Sequence, residues 1–244
     1  MKILTLPTVM AVVLLTTNLH SVAQVSEIKS ASKGGGRGHG EGGGGGGGGS
    51  AFAFDIFFYS IDGLASWQRH TLLKRDSIPS LVSFEAGFQT AAQPSSYYII
   101  NPRIRGNWGL FSTDFRINYL IEESVEGPIH LRTVDWQVVQ LNVITTKDVN
   151  LRLGGGIMHE AYGNYDTHTE LTAAFQLLPR QKKLGGSIEY RAAEVRKEVN
   201  GGIQYSLGSS GTLHWYATVG AVFQRYYSSI NVWGIQAGVS LKIF

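Results

Sequence analysis

The sequence predicts an all-β fold, an antiparallel transmembrane β-barrel of twelve strands, with ten as the alternative. Three observations predict it. Beyond Ser50 the chain runs in segments of about ten residues in which every second residue is apolar. One face of these segments is almost purely apolar, while the charges gather on the other. No segment beyond Ser50 approaches the roughly 20 apolar residues of a spanning helix. Successive strand side chains point to opposite faces, so alternation of this kind gives one oily and one wet surface.

The first fifty residues stand apart from this pattern. Lys2 precedes an apolar run from Ile3 to Thr17, and Ser21-Val22-Ala23 before Gln24 supplies the small residues of a cleavage site. Residues 1–23 are therefore expected to be a signal peptide for Sec-type secretion, too short and too interrupted by Pro7 to span a bilayer. Residues 24–50 are expected to be a disordered, glycine-rich linker. The tract from Gly34 to Gly49, broken only by Arg37, His39 and Glu41, has no side chains to bury and the most entropy to lose. Such a linker spans about 20 Å and suits contact with a periplasmic partner. Glycine motifs inside it lack the preceding strand and following helix of a phosphate site. The barrel domain is then 51–244.

Taken in order, Ala51–Tyr59 places Phe52, Phe54, Ile56 and Phe58 on one face. A weaker strand over Leu64–Leu73 follows, and a short amphipathic helix there would instead leave ten strands. From Val82 onward ten strands alternate. Phe111–Glu122 is the clearest internal case, with Phe115, Ile117, Tyr119 and Ile121 opposite Asp114, Arg116, Asn118 and Glu122. His130–Thr145 changes phase at Val138-Val139, which marks a β-bulge. Parity favours twelve strands, because eleven would leave the two chain ends on opposite sides. With the carboxyl end on the periplasmic side, the tight turns at 106–109, 146–148 and 208–211 fall on that side. Tyr97, Tyr98, Tyr119, Tyr162, Tyr165, Tyr226, Tyr227 and Trp233 gather at the outer ends, with Trp108 and Trp215 at the inner ends, as interfacial girdles.

The last strand sets Trp233, Ile235, Val239, Leu241 and Ile243 outward and ends at Phe244. Together with the signal peptide and the repeated strands, this resembles the outer-membrane β-barrel proteins of bacteria with two membranes. The resemblance covers Ser50 to Phe244 and is architectural. It implies insertion into outer-membrane lipid and reading of the final strand by the barrel-assembly machinery. Phe244 is one residue out of phase with Ile243 and Leu241.

On the wet face the expected lumen-lining charges are Glu85, Arg103, Arg105, Asp114, Arg116, Arg132, Asp135, Arg152, Glu170, Glu189, Arg191 and Glu198. Six bases meet six acids in this set, the balance that an interior of cross-strand ion pairs needs. Such charges either line a narrow channel for small polar or charged solutes or knit a non-conducting structural or partner-binding barrel. A hydrolase at the rim is the third reading, on His159-Glu160 with His168 and Glu170, but no nucleophile motif accompanies them. No catalytic residue, metal site or cofactor is assigned. Absence of cysteine excludes disulfides and thiolate chemistry. A formal charge of +3 without a clustered basic face argues against nucleic acid.

Overall fold

The computed structural model describes residues 24–34, 66, 82–93, 97–123, 127–145, 149–163, 165–177 and 183–243. The expected signal peptide, the glycine tract beyond Gly34 and Phe244 lie outside these residues. So do the strands read at 51–59 and 64–73, apart from Ser66.

Alternating side chains build ten antiparallel strands: β1 (Val82–Gln93), β2 (Tyr97–Trp108), β3 (Phe111–Glu122), β4 (Ile129–Thr145), β5 (Val149–Glu160), β6 (Thr167–Leu177), β7 (Leu184–Ala193), β8 (Arg196–Ser210), β9 (Leu213–Tyr226) and β10 (Ile230–Ile243). Each pairs with its sequence neighbours, and β1 pairs with β10 from Phe84↔Ile243 to Ala92↔Ile235. That last pairing corrects the expectation of twelve strands. Both backbone edges of β1 and of β10 are already hydrogen-bonded, so no edge remains for two further strands. Ten is even, and the barrel therefore begins and ends at one rim, here the terminal rim. The β1–β2, β3–β4, β5–β6, β7–β8 and β9–β10 connections form the far rim.

The polarity of the barrel is inverted relative to a water-soluble core. Leu171 is 63% exposed and Ile188 52%, whereas Asp114 and Asp135 are 0% exposed. Period-two alternation explains this strand by strand, as in β6, where Leu171 faces out between the buried Glu170 and Thr172. The bulge expected in β4 is present. Pairing with β3 slips between Ser112↔Gln140 and Asp114↔Gln137, and Val138 and Val139 both face outward. Opposite it on β5, Gly156 admits the bulge, since a Cβ there would meet the Trp136 carbonyl oxygen at 2.1 Å.

One element is not a strand. Residues 24–34, expected within a disordered linker, form helix α1 (Gln24–Gly34). Val25 and Ile28 lie one turn apart on its inner stripe and are fully buried; Ala31 continues the stripe half-buried. Isolated helices of this length are marginal in water. Tertiary burial is what stabilises α1, at about 1.5–3 kcal/mol for each large apolar side chain removed from water.

Candidate functional site

The inward-facing side chains fill the lumen in two layers. The middle layer is ionic. Arg103 on β2 meets Asp114 on β3, with Nε donating at 2.8 Å, and reaches Glu189 on β7 at 2.6 Å. Arg191 on β7 binds Asp114 at 2.5 Å, its own strand's Glu189 at 2.5 Å and Glu170 on β6 at 3.3 Å. Arg196 on β8 bridges Asp135 on β4 at 2.6 Å and Glu170 at 2.8 Å. Arg116 on β3 holds Asp135 at 2.6 Å and also pairs with Glu198 on β8.

The positions of these strands matter more than the number of pairs. In a ring of ten, β3 and β8 are five strands apart, and so are β2 and β7. Arg116–Glu198 and Arg103–Glu189 therefore cross the full width of the lumen. Neutral amides complete the layer: Gln137 donates to Glu170 at 2.6 Å and Gln224 to Glu198 at 2.8 Å. Arg116, Arg191 and Arg196 are each at most 1% exposed, so side chains fill the lumen around them.

The second layer is apolar and lies at the far rim. Tyr97, Ile99, Leu120, Leu131, Val222, Tyr226, Ile230 and Val232 point inward from β2, β3, β4, β9 and β10 and surround Val25 and Ile28 of α1. The amino end of α1 meets Glu122, the last residue of β3. Its carboxylate accepts from the Gln24 amide at 2.8 Å and the Val25 amide at 2.9 Å. Two of the first-turn N–H groups that a helix cannot satisfy internally are thus capped by a charge of the favourable sign. At the other end Ser32 packs on Gly163, in the β5–β6 connection, whose φ is +59° and whose added Cβ would fall 1.8 Å from Ser32 Oγ. Beside it Tyr227 donates to Glu160 at 3.0 Å. Burial pushes the Tyr227 phenol above its ordinary range, so it stays a donor at any physiological pH.

Most of the charges read from the sequence converge in the lumen. Arg132 does not. It is exposed, because it shares parity with Val134 and Trp136, which face outward before the β4 bulge. Two inward cations were absent from that set: Arg196, which opens β8 directly after the two-residue β7–β8 turn, and Lys242, which lies 3.8 Å from Glu85. Two-residue alternation places both, Arg196 two before Glu198 and Lys242 two after Ser240. Arg152 is buried toward the terminal rim but joins none of these pairs.

The rim cluster separates. His159 faces outward and hydrogen-bonds Thr167 at 3.0 Å. His168 faces inward, 3.7 Å from both Glu160 and Glu194, while Glu170 is taken up by Arg191 and Arg196. No group of three metal-ligating side chains occurs among the described residues. Three of the tyrosines read as an interfacial girdle, Tyr97, Tyr162 and Tyr226, are buried in the mouth. On β10, Trp233, Ile235, Leu241, Val239 and Ile243 share the outward face, with Gln236, Ser240 and Lys242 turned inward.

No protein-family model and no curated protein sequence matches the chain. Among solved structures it is similar to the N-terminal β-barrel domain of Pseudomonas aeruginosa OprF, with 10% identity and a TM-score of 0.30 over 66% of this chain and 96% of that one. At that level the likeness carries no functional argument, and the barrel rests on its own strand pairing.

Proposed function

We propose that the chain is an integral outer-membrane β-barrel that does not conduct in its resting state and serves as a membrane-embedded structural or partner-binding module. The membrane reading is supported by the inverted polarity. Ten strands expose Phe, Leu, Ile, Val and Trp side chains around the whole girth while arginines and carboxylates are buried, and only an apolar solvent makes such an exterior favourable. Closure of the strands leaves no unpaired edge, which a bilayer also demands.

The non-conducting reading rests on one observation, the ion pairs that cross the lumen between strands five apart. A solute entering from the far rim meets α1 first and that layer next. A channel would require both to move. The purified full chain in planar bilayers is the test. The expected result is a sealed membrane with the protein shown to be inserted by heat-dependent migration on a detergent gel. Steady, protein-dependent ohmic steps would sink the reading. The hydrolase alternative loses its support, since His159 and His168 lie on opposite faces and Glu170 is committed to arginines.

A further inference from the structure

Beneath the crossing ion pairs, toward the terminal rim, the lumen holds a cavity of about 50 Å³ lined by Arg152, Arg103, Arg105, Glu85, Glu189 and Gln204 among others. In the ionic layer, six buried or half-buried acids each meet an ion-paired cation, and those cations also number six. Arg152 is a seventh. It is 5% exposed and forms no ion pair among the described residues, and its Nε–H has no acceptor. The Nε–H of Arg105, which lines the same cavity, also has none. A guanidinium has only donors to offer, so neither group can be satisfied by the arginines around it. Glu85 and Glu189 act on Arg152 only from beyond ion-pair distance, and a buried charge with no carboxylate in direct contact is unfavourable.

We propose that this cavity binds one small inorganic anion, of the size of a halide, held by Arg152 with Arg105 beside it. Size and charge select the class. A single water occupies about 10–15 Å³ on the measure used for such cavities. The space therefore admits a monatomic anion with one or two waters and excludes sugars, nucleotides and organic phosphates. Glu85 and Glu189 on the wall are already shared among Arg103, Arg105, Arg191 and Lys242. They leave the single excess positive charge at Arg152. The anion would balance the charge of the ionic layer and its cavity, and enter from the terminal rim, on the near side of the ion-pair layer.

Bromide is the probe. Crystals of the full chain grown in bromide are expected to show an anomalous peak inside this cavity against Arg152, absent in Arg152→Gln. In solution, bromide at constant ionic strength, exchanged for gluconate, is expected to raise the thermal midpoint of the wild type saturably, as ligand linkage requires. Arg152→Gln removes the uncompensated charge, folds without halide, and loses the halide-dependent rise. Anomalous peaks confined to the protein surface overturn the proposal, and so does an equal rise in wild type and variant. Should Arg152→Gln not fold, the wild-type anomalous map alone decides between the two.

Discussion

The ionic layer at mid-lumen and the apolar mouth around α1 close the same barrel by different means. In the ionic layer every residue belongs to a strand, and each arginine is fixed by two or three carboxylates on other strands. Removing one member strands its partners. In the mouth the filling is a separate helix, held by two large apolar side chains, one carboxylate cap and one close contact at Gly163. Removing α1 would leave the barrel's own hydrogen bonds untouched. The difference teaches that one layer is part of the fold and the other is docked onto it, and each can be perturbed without the other.

The largest effect is expected from the ionic layer. Asp114 is 0% exposed and serves Arg103, Arg105 and Arg191. Asp114→Ala leaves these guanidiniums short of counter-charge, at a cost of about 3–5 kcal/mol. Urea unfolding from lipid vesicles, followed by tryptophan fluorescence, should show a midpoint lowered accordingly, or no folded barrel at all. A change under 1 kcal/mol would mean that the layer is hydrated and loosely held. Replacing the pair by apolar residues is a different experiment, because buried ion pairs give little net stability over a well-packed hydrophobic substitute.

Ile28→Asp carries the comparison to the mouth. Ile28 is fully buried in an apolar cluster at the far rim, a setting that disfavours a carboxylate. Burying it costs more than the docking of α1 returns, so the helix should leave while the barrel stays folded. Trypsin cleavage after Lys29 and Lys33 reports the released population. The expected outcome is rapid cleavage with an unchanged urea midpoint for the strands. A midpoint that falls with it would make α1 part of the fold and erase the distinction.

How much of this was legible in the sequence follows the same division. Strands and charged faces were legible because a period of two leaves little freedom: once Arg116 is inward, so are Asp114 and Asn118. The phase is hardest to read at Arg132, before a bulge, and at Arg196, beside a turn. Strand number was legible only as ten or twelve, because hydrogen bonding between β1 and β10 is a long-range fact that neither strand's pattern encodes. The helix was not legible from its own residues, since Val25, Ile28 and Ala31 are a thin stripe in a polar stretch. Its docking site did leave a trace. Ile99, Leu120, Leu131, Val222 and Val232 are apolar residues on otherwise wet faces, and all lie toward the far ends of their strands. Five such exceptions at one end require something apolar to cover them.

Gly163→Ala is expected to have a moderate effect. A non-glycine residue at φ +59° and a Cβ driven onto Ser32 together cost about 1–3 kcal/mol. The strain falls on the β5–β6 connection and on α1, not on a strand pair. Cleavage after Lys33 should quicken by about tenfold for each 1.4 kcal/mol, with conductance still absent if the ionic layer seals the barrel alone. Gly163→Ala with cleavage as slow as wild type would show that the Ser32 contact contributes nothing to docking.

The smallest and most informative change is Glu122→Gln. In the wild type one carboxylate oxygen accepts from the Gln24 amide at 2.8 Å and the other from the Val25 amide at 2.9 Å; Gln keeps an acceptor for one of them, sets an NH2 donor against the other, and removes the charge. Charge at a helix amino terminus is worth about 0.3–1 kcal/mol when exposed and up to about 2 when partly buried. Glu122 is 5% exposed and makes no ion pair among the described residues, so the upper part of that range applies, and protease release of α1 should rise by about three- to thirtyfold. If processing leaves Gln24 as the first residue, its ammonium becomes a full cation beside this carboxylate and the effect grows further. A chain extended by two residues before Gln24 should then respond less to Glu122→Gln than the processed chain does. Equal responses in the two would mean that the helix dipole alone provides the attraction, and that docking of α1 does not depend on where the chain is cut.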